Sequence, residues 1–169
     1  MKTRKIMAML LTVLMLIMAG CQKDGKTEAA EGNASGAAVM ESKTVASTLY
    51  NEFVKAVETE SDIEVLGQKL AESEVLNGVS MLSMPMEPGF LNGFDTEITG
   101  YKKAVVFAPA IGSIPFVGYI FETDDPAGLA ETLRTHADLR WNICTEADEM
   151  VCEPVGNYVF FVMAPESFE

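Results

Sequence analysis

Histidine and tryptophan occur once each and cysteine three times in 169 residues, and only twelve Lys or Arg stand against 25 Asp or Glu. Each scarcity removes a class of chemistry. With His136 distant from Cys144 and Cys152, the chain has too few ligands for a structural zinc site. The shortage of bases leaves a formal charge of −13, which repels nucleic acid and anionic lipid headgroups, so no nucleic-acid role is expected. No Gly-Lys-Ser or Gly-Lys-Thr marks a phosphate loop, and no D-x-D-x-D-G a calcium loop. There is no C-x-x-C for dithiol redox chemistry, no G-x-S-x-G nucleophile elbow, and no internal repeat. No motif requires a cofactor or a metal.

Long apolar runs are also missing, with one exception at the start. Lys2, Arg4 and Lys5 precede an apolar run from Ile6 to Ala19, 14 residues long. As a helix it would reach about 21 Å, short of the ~30 Å hydrocarbon core. It reads as an export signal, residues 1–20, and its junction Met18-Ala19-Gly20-Cys21 resembles a bacterial lipobox, with Cys21 as the acylated residue. Methionine replaces the more usual leucine at the first position. Several acyl chains on Cys21 would anchor the protein stably to a membrane, on the outer face of the cytoplasmic membrane. Loss of the leader leaves nine basic residues against 25 acidic, a formal charge of −16. Residues 21–41, rich in Gly, Ala, Ser and charge without apolar periodicity, read as the lipidated cysteine and a tether.

The remainder, 42–169, reads as a single α+β domain. Val45, Leu49, Phe53 and Val57 recur every four positions and predict an amphipathic helix over 42–58. A second helix is expected from a Ser61/Glu64 capping box to about Ser73, with Ile63, Leu66 and Leu70 on one face. Met81, Met84 and Met86, among Pro85, Pro88 and Gly89, predict an extended segment and a compact loop. Core filling explains these thioethers better than soft-metal ligation. Strands are expected over 101–109 and 116–123, the first with a continuous apolar run that implies cover on both faces. Asp125 and Pro126 then open a helix whose apolar face runs Leu129, Leu133, Ala137 and Trp141. A hairpin around Pro154 to Asn157 closes the chain. The expected architecture is N-terminal helices plus a mainly antiparallel sheet with a C-terminal β-α-β-β unit, in a two-layer sandwich.

Two stretches are candidate sites. APAIGSIPFVGY, 108–119, reads foremost as a packed turn, with a ligand cleft at Gly112, Ser113, Phe116 and Tyr119 as the functional alternative. Arg140 and Trp141, expected at the end of the third helix, form a candidate interaction spot. Cys144 and Cys152 can close a small disulfide or stay free thiols. Glu146, Asp148, Glu149 and Glu153 read as a solvated acidic surface.

The run GFLNGFDTEITGYKKAVVFAPAIGSIPFVGYIFETDDPAGL, with ADLRWNICTEADEMV and GNYVFFVM, resembles a domain of unknown function from small lipoproteins of Gram-positive, clostridial-type anaerobes. The likeness covers about 44–165 and implies a lipid-anchored extracytoplasmic α+β domain; it carries no catalytic residue with it. The sequence therefore predicts a non-enzymatic module, attached to the membrane through Cys21, that binds a protein, peptide or small-molecule ligand. The alternative is a small hydrolase-like enzyme using Ser113 or His136.

Overall fold

The computed structural model describes residues 38–41 and 43–168. The predicted leader, Cys21 and most of the tether lie outside the described residues. Helix α1 (Val45–Ala56) starts where Thr44 caps it, its side chain accepting from the Ser47 N–H. Two further N–H groups of this first turn are met from the far end of the sequence: Val45 donates to the Glu166 carbonyl at 3.1 Å, and Ala46 to a Glu149 carboxylate oxygen at 2.9 Å. A carboxylate at a helix N-terminus both satisfies a donor and complements the helix dipole.

Helix α2 (Ile63–Ala71) is capped by Asp62, not by the expected Ser61. Asp62 accepts from the Glu64 N–H at 2.9 Å, while the Ser61 and Asp62 N–H groups both donate to Glu60. The carboxylate wins because it is charged and the hydroxyl is not. A 3-10 turn (Glu74–Leu76) leads into strand β1 (Met81–Met86), and a small ribbon of β2 (Gly89–Phe90) and β3 (Glu97–Ile98) follows.

Strands β4 (Lys103–Pro109) and β5 (Val117–Glu122) flank the 108–119 turn, and helix α3 (Pro126–His136) precedes the hairpin of β6 (Glu149–Val155) and β7 (Tyr158–Ala164). Gly156 and Asn157 make the two-residue turn, with positive φ at Gly156 alone, the pattern of a type II′ turn. The five long strands form one sheet in the order β1-β4-β5-β7-β6, every neighbouring pair antiparallel. The α+β class, the mainly antiparallel sheet and the β-α-β-β order of the last elements are as the sequence predicts.

The helices divide between the faces of the sheet. Leu49, Phe53, Leu66 and Leu70 of α1 and α2 pack with Val105, Phe107, Ile120, Phe160 and Val162. Leu129, Ala130 and Leu133 of α3, with Leu91, Ile98 and Tyr101 of the 87–101 segment, pack with Tyr119, Phe121, Val159, Phe161 and Met163 on the other face. Rings interlock on both sides: Phe53 lies 5.3 Å from Phe160, and Phe94 4.8 Å from Phe161, centroid to centroid. The alternation of β5 and β7 sends one apolar set to each side, so both faces require cover.

Helix α3 stops at His136, five residues before the expected Trp141. Its end is diverted into pairing with the 93–95 segment: Asp95 donates its N–H to the His136 carbonyl and Asp138 donates to Gly93, flanking a Phe94–Ala137 bridge. Arg140 and Trp141 therefore sit in the loop beyond the helix.

Gly118 lies directly under Phe107, whose ring atoms would be 2.2–2.7 Å from any added Cβ. Gly118→Ala is expected to cost about 1–3 kcal/mol through overpacking, read as a lower denaturant midpoint at unchanged m-value. A wild-type midpoint would show that Phe107 can move aside.

Candidate functional site

At one end of the sheet, the turn after β4 and the loop after α3 face each other across a groove of about 480 Å³. Ala108 and Val117 lie on its floor; the pairing of Phe107 with Gly118 makes them cross-strand neighbours. Gly112, Ile114 and Phe116 line one side, Trp141 to Cys144 the other, and Asn92 closes it from the 87–101 segment. The floor is apolar because both strands are core strands: Val117 is buried and Ala108 half-buried.

Asn142 spans the two loops. Its side-chain amide donates to the Gly112 carbonyl at 2.9 Å and to the Ile114 carbonyl at 3.4 Å, so a residue on the α3 side fixes the shape of the turn on the β4 side. Trp141 packs half-buried against the core of the α3 face, and its backbone N–H donates to the Asp138 carbonyl at 3.1 Å. Ile143 projects outward at 98 % exposure. Among the described residues no charged one lines the groove, although the chain as a whole is strongly acidic.

The residues singled out in the sequence separate. Gly112, Phe116 and Trp141 line the groove, while Ser113 is exposed beside it. Tyr119 is buried beneath and donates its hydroxyl to the Asn92 carbonyl at 3.0 Å, so it is a support and not a lining group. Burial raises the Tyr119 pKa, keeping the phenol protonated as that bond requires. Arg140 points away toward Glu146, at 3.5 Å. Asn92 and Ile143 stand out by nothing in the sequence, and Asn142 reads there only as a group to meet the last carbonyls of the third helix, not as part of a cleft. Their signal is tertiary, since each joins the groove only when three separated segments converge.

Ser113 and His136 do not form a pair. His136 Nδ1 is 2.8 Å from Asp95 Oδ1, and among the described residues no hydrogen bond links the ring to Ser113. Cys144 and Cys152 are free thiols: Cys144 is exposed at the groove, and Cys152 is buried with its Sγ 3.5 Å from the Ala130 carbonyl. Burial pushes the Cys152 thiol up to about 12, so it stays protonated and unreactive. The acidic cluster disperses into separate attachments. Glu149 caps α1, Asp148 accepts from the Glu166 N–H, Glu146 meets Arg140 and Glu153 meets Arg134. Among the described residues no group of three His, Cys, Asp or Glu could hold a metal ion.

The chain matches no family model, no curated protein and no solved structure at a significant level.

Removing the bridge across the groove leaves two turn carbonyls without their donor. Asn142→Ala is expected to cost about 1–2 kcal/mol and to shift Trp141 emission to the red as the loops part. An unchanged spectrum and melting curve would show that Asn142 does not set the groove. For the thiols, alkylation followed by mass spectrometry should modify Cys144 rapidly in the folded protein and Cys152 only after denaturation. Equal rates at both would contradict the burial of Cys152.

Proposed function

We propose that the protein is an extracytoplasmic, lipid-anchored binding module whose ligand site is the groove between the 108–117 turn and the 141–144 loop. One observation carries this reading: the Asn142 bridge ties together the two walls of an uncharged groove of about 480 Å³ on the surface of an acidic protein. Ligand sites are concave, mostly apolar and supplied with a few placed polar groups. Here the accessible apolar surface comes from Ala108, Ile114, Trp141 and Ile143, with Phe116 and Val117 buried behind it, and the polar groups from the carboxamides of Asn92 and Asn142. An uncharged ligand is favoured, because nothing in the lining would compensate a buried charge.

The second half of the proposal is location. Lys2, Arg4 and Lys5, the apolar run after them and the Ala19-Gly20-Cys21 junction support export and acylation at Cys21. The likeness to small lipoproteins supports the same placement. The alternative of a hydrolase has less to stand on, because among the described residues no hydrogen bond joins Ser113 to the His136–Asp95 pair.

Trp141 is the only tryptophan, so its fluorescence reports on the groove alone. Titration with the uncharged apolar probe N-phenyl-1-naphthylamine should quench Trp141 saturably, with energy transfer to the probe. Ile143→Asp, which sets a carboxylate at the rim without touching the core, should weaken that binding by roughly tenfold. Absence of saturable quenching, or an unaffected Ile143→Asp variant, would remove the groove as the site. Location is checked separately by fatty-acid labelling in cells, where label is expected on the wild type and absent from Cys21→Ser.

A further inference from the structure

The two edges of the sheet are finished differently. At the β6 edge, the two-residue turn makes Val155 and Tyr158 the hydrogen-bonded pair beside it, so Cys152 and Pro154 present their backbone groups outward. That edge is closed. The Arg134 guanidinium of α3 donates to the Cys152 carbonyl and is itself paired with Glu153, while Pro154 has no N–H to offer.

The β1 edge is open over half its length. Ala110 donates its N–H to the Ser80 carbonyl at 2.8 Å, which directs the backbone groups of Leu82, Met84 and Met86 toward β4 and those of Met81, Ser83 and Pro85 outward. The outward position of Pro85 agrees, since a proline inside a strand is tolerated only where no ladder N–H is needed. Met81 and Ser83 thus each offer a donor and an acceptor, and Pro85 an acceptor only. Among the described residues, none of these outward groups has a hydrogen-bond partner.

The flanks of this edge differ as well. On one face α2 lies so close, through Gly67, that an added Cβ would stand 2.7 Å from Ser83 Oγ and 2.4 Å from a Val105 methyl. On the other face the register partners Ala108 and Val106 are half-buried, Val106 against the α3-side core, while Leu82 and Met84 stand at the outer end of the row. Leu82 is 49 % and Met84 45 % exposed.

We infer that β1 is a docking edge for an extended peptide segment of a partner, neutral or basic in charge, which adds as an outer strand over Met81–Ser83. Main-chain hydrogen bonds supply affinity in strand addition, and alternate side chains are read by the flanking surface, here Leu82 and Met84. Net charge decides against a second copy of this chain as the occupant: residues 42–169 hold 7 basic against 21 acidic residues, a formal charge of −14, so two copies repel one another, although the cleft beside Pro85 is itself balanced, with Glu64 and Glu87 facing Lys102 and Lys103. Pro85 limits the added strand to a few residues and sets its register.

The test uses the acetylated, amidated heptapeptide Lys-Val-Thr-Val-Thr-Val-Lys with the full chain, read by hydrogen exchange of the backbone amides of 80–86. Protection by about fivefold or more is expected, weaker with Glu at both ends and absent with proline at the centre. The double variant Leu82→Glu, Met84→Glu alters only exposed side chains and should weaken binding by roughly tenfold. Pro85→Val supplies the missing donor and should strengthen it. Ile143→Asp should leave it unchanged, which separates this edge from the groove. The inference fails if no peptide protects β1 at millimolar concentration, or if the double variant is protected equally. Protection that grows with protein concentration alone would assign the edge to a second copy and overturn it too.

Discussion

Between Val117–Glu122 of β5 and Tyr158–Ala164 of β7, six residue pairs lie side by side, and every residue of β7 is buried. A strand pair with no wet face cannot stand alone; it needs a layer on each side, and the apolar area of residues such as Phe160 and Phe161, worth about 1.5–3 kcal/mol each, provides the drive. The helices and the 87–101 segment are the response. α1 and α2 take the face of Phe160, and α3 and Leu91, Ile98 and Tyr101 take that of Phe161. The cover on the second side is shorter than the sheet. It thins out at Ala108, beside the groove, and does not reach Leu82 and Met84 on β1. Both candidate binding surfaces are thus places where the layering demanded by β5 and β7 runs out.

Much of this was legible from residue order. The four-residue spacing of Val45, Leu49 and Phe53 marks α1; Asp125 and Pro126 mark the start of α3; and the continuous apolar run Val105-Val106-Phe107 marks a strand covered on both sides. What failed was set by distant partners. Periodicity carries α3 on to Trp141, but segment 93–95 claims the backbone of His136 and Asp138 and ends the helix early. Likewise Ser61 has the right spacing for a cap, yet Glu60 and Asp62 outbid it with charge.

The site was legible in halves. The 108–119 turn and the Arg140-Trp141 stretch were each conspicuous by composition, but nothing in either says that they face one another. Asn142 makes that connection, and an asparagine in a loop carries no mark of the carbonyls it will meet 28 and 30 residues away. The acidic residues of 146–153 illustrate the converse. As a string they look like one negative patch; in space Glu149, Asp148, Glu146 and Glu153 turn to four different neighbours, and the charge serves attachment.

The junction of Val45 with Glu166 and of Ala46 with Glu149 sets the opening of the first helix against the close of the last hairpin. Force arriving along the chain from the N-terminal side would therefore load the final strands early, through contacts more than a hundred residues apart in order, so that β6 and β7 would resist traction together with α1. The same closeness means that a short link from Phe168 to Lys43, with the polypeptide reopened at the Gly156-Asn157 turn, would rearrange the order of synthesis and leave the packing as it is.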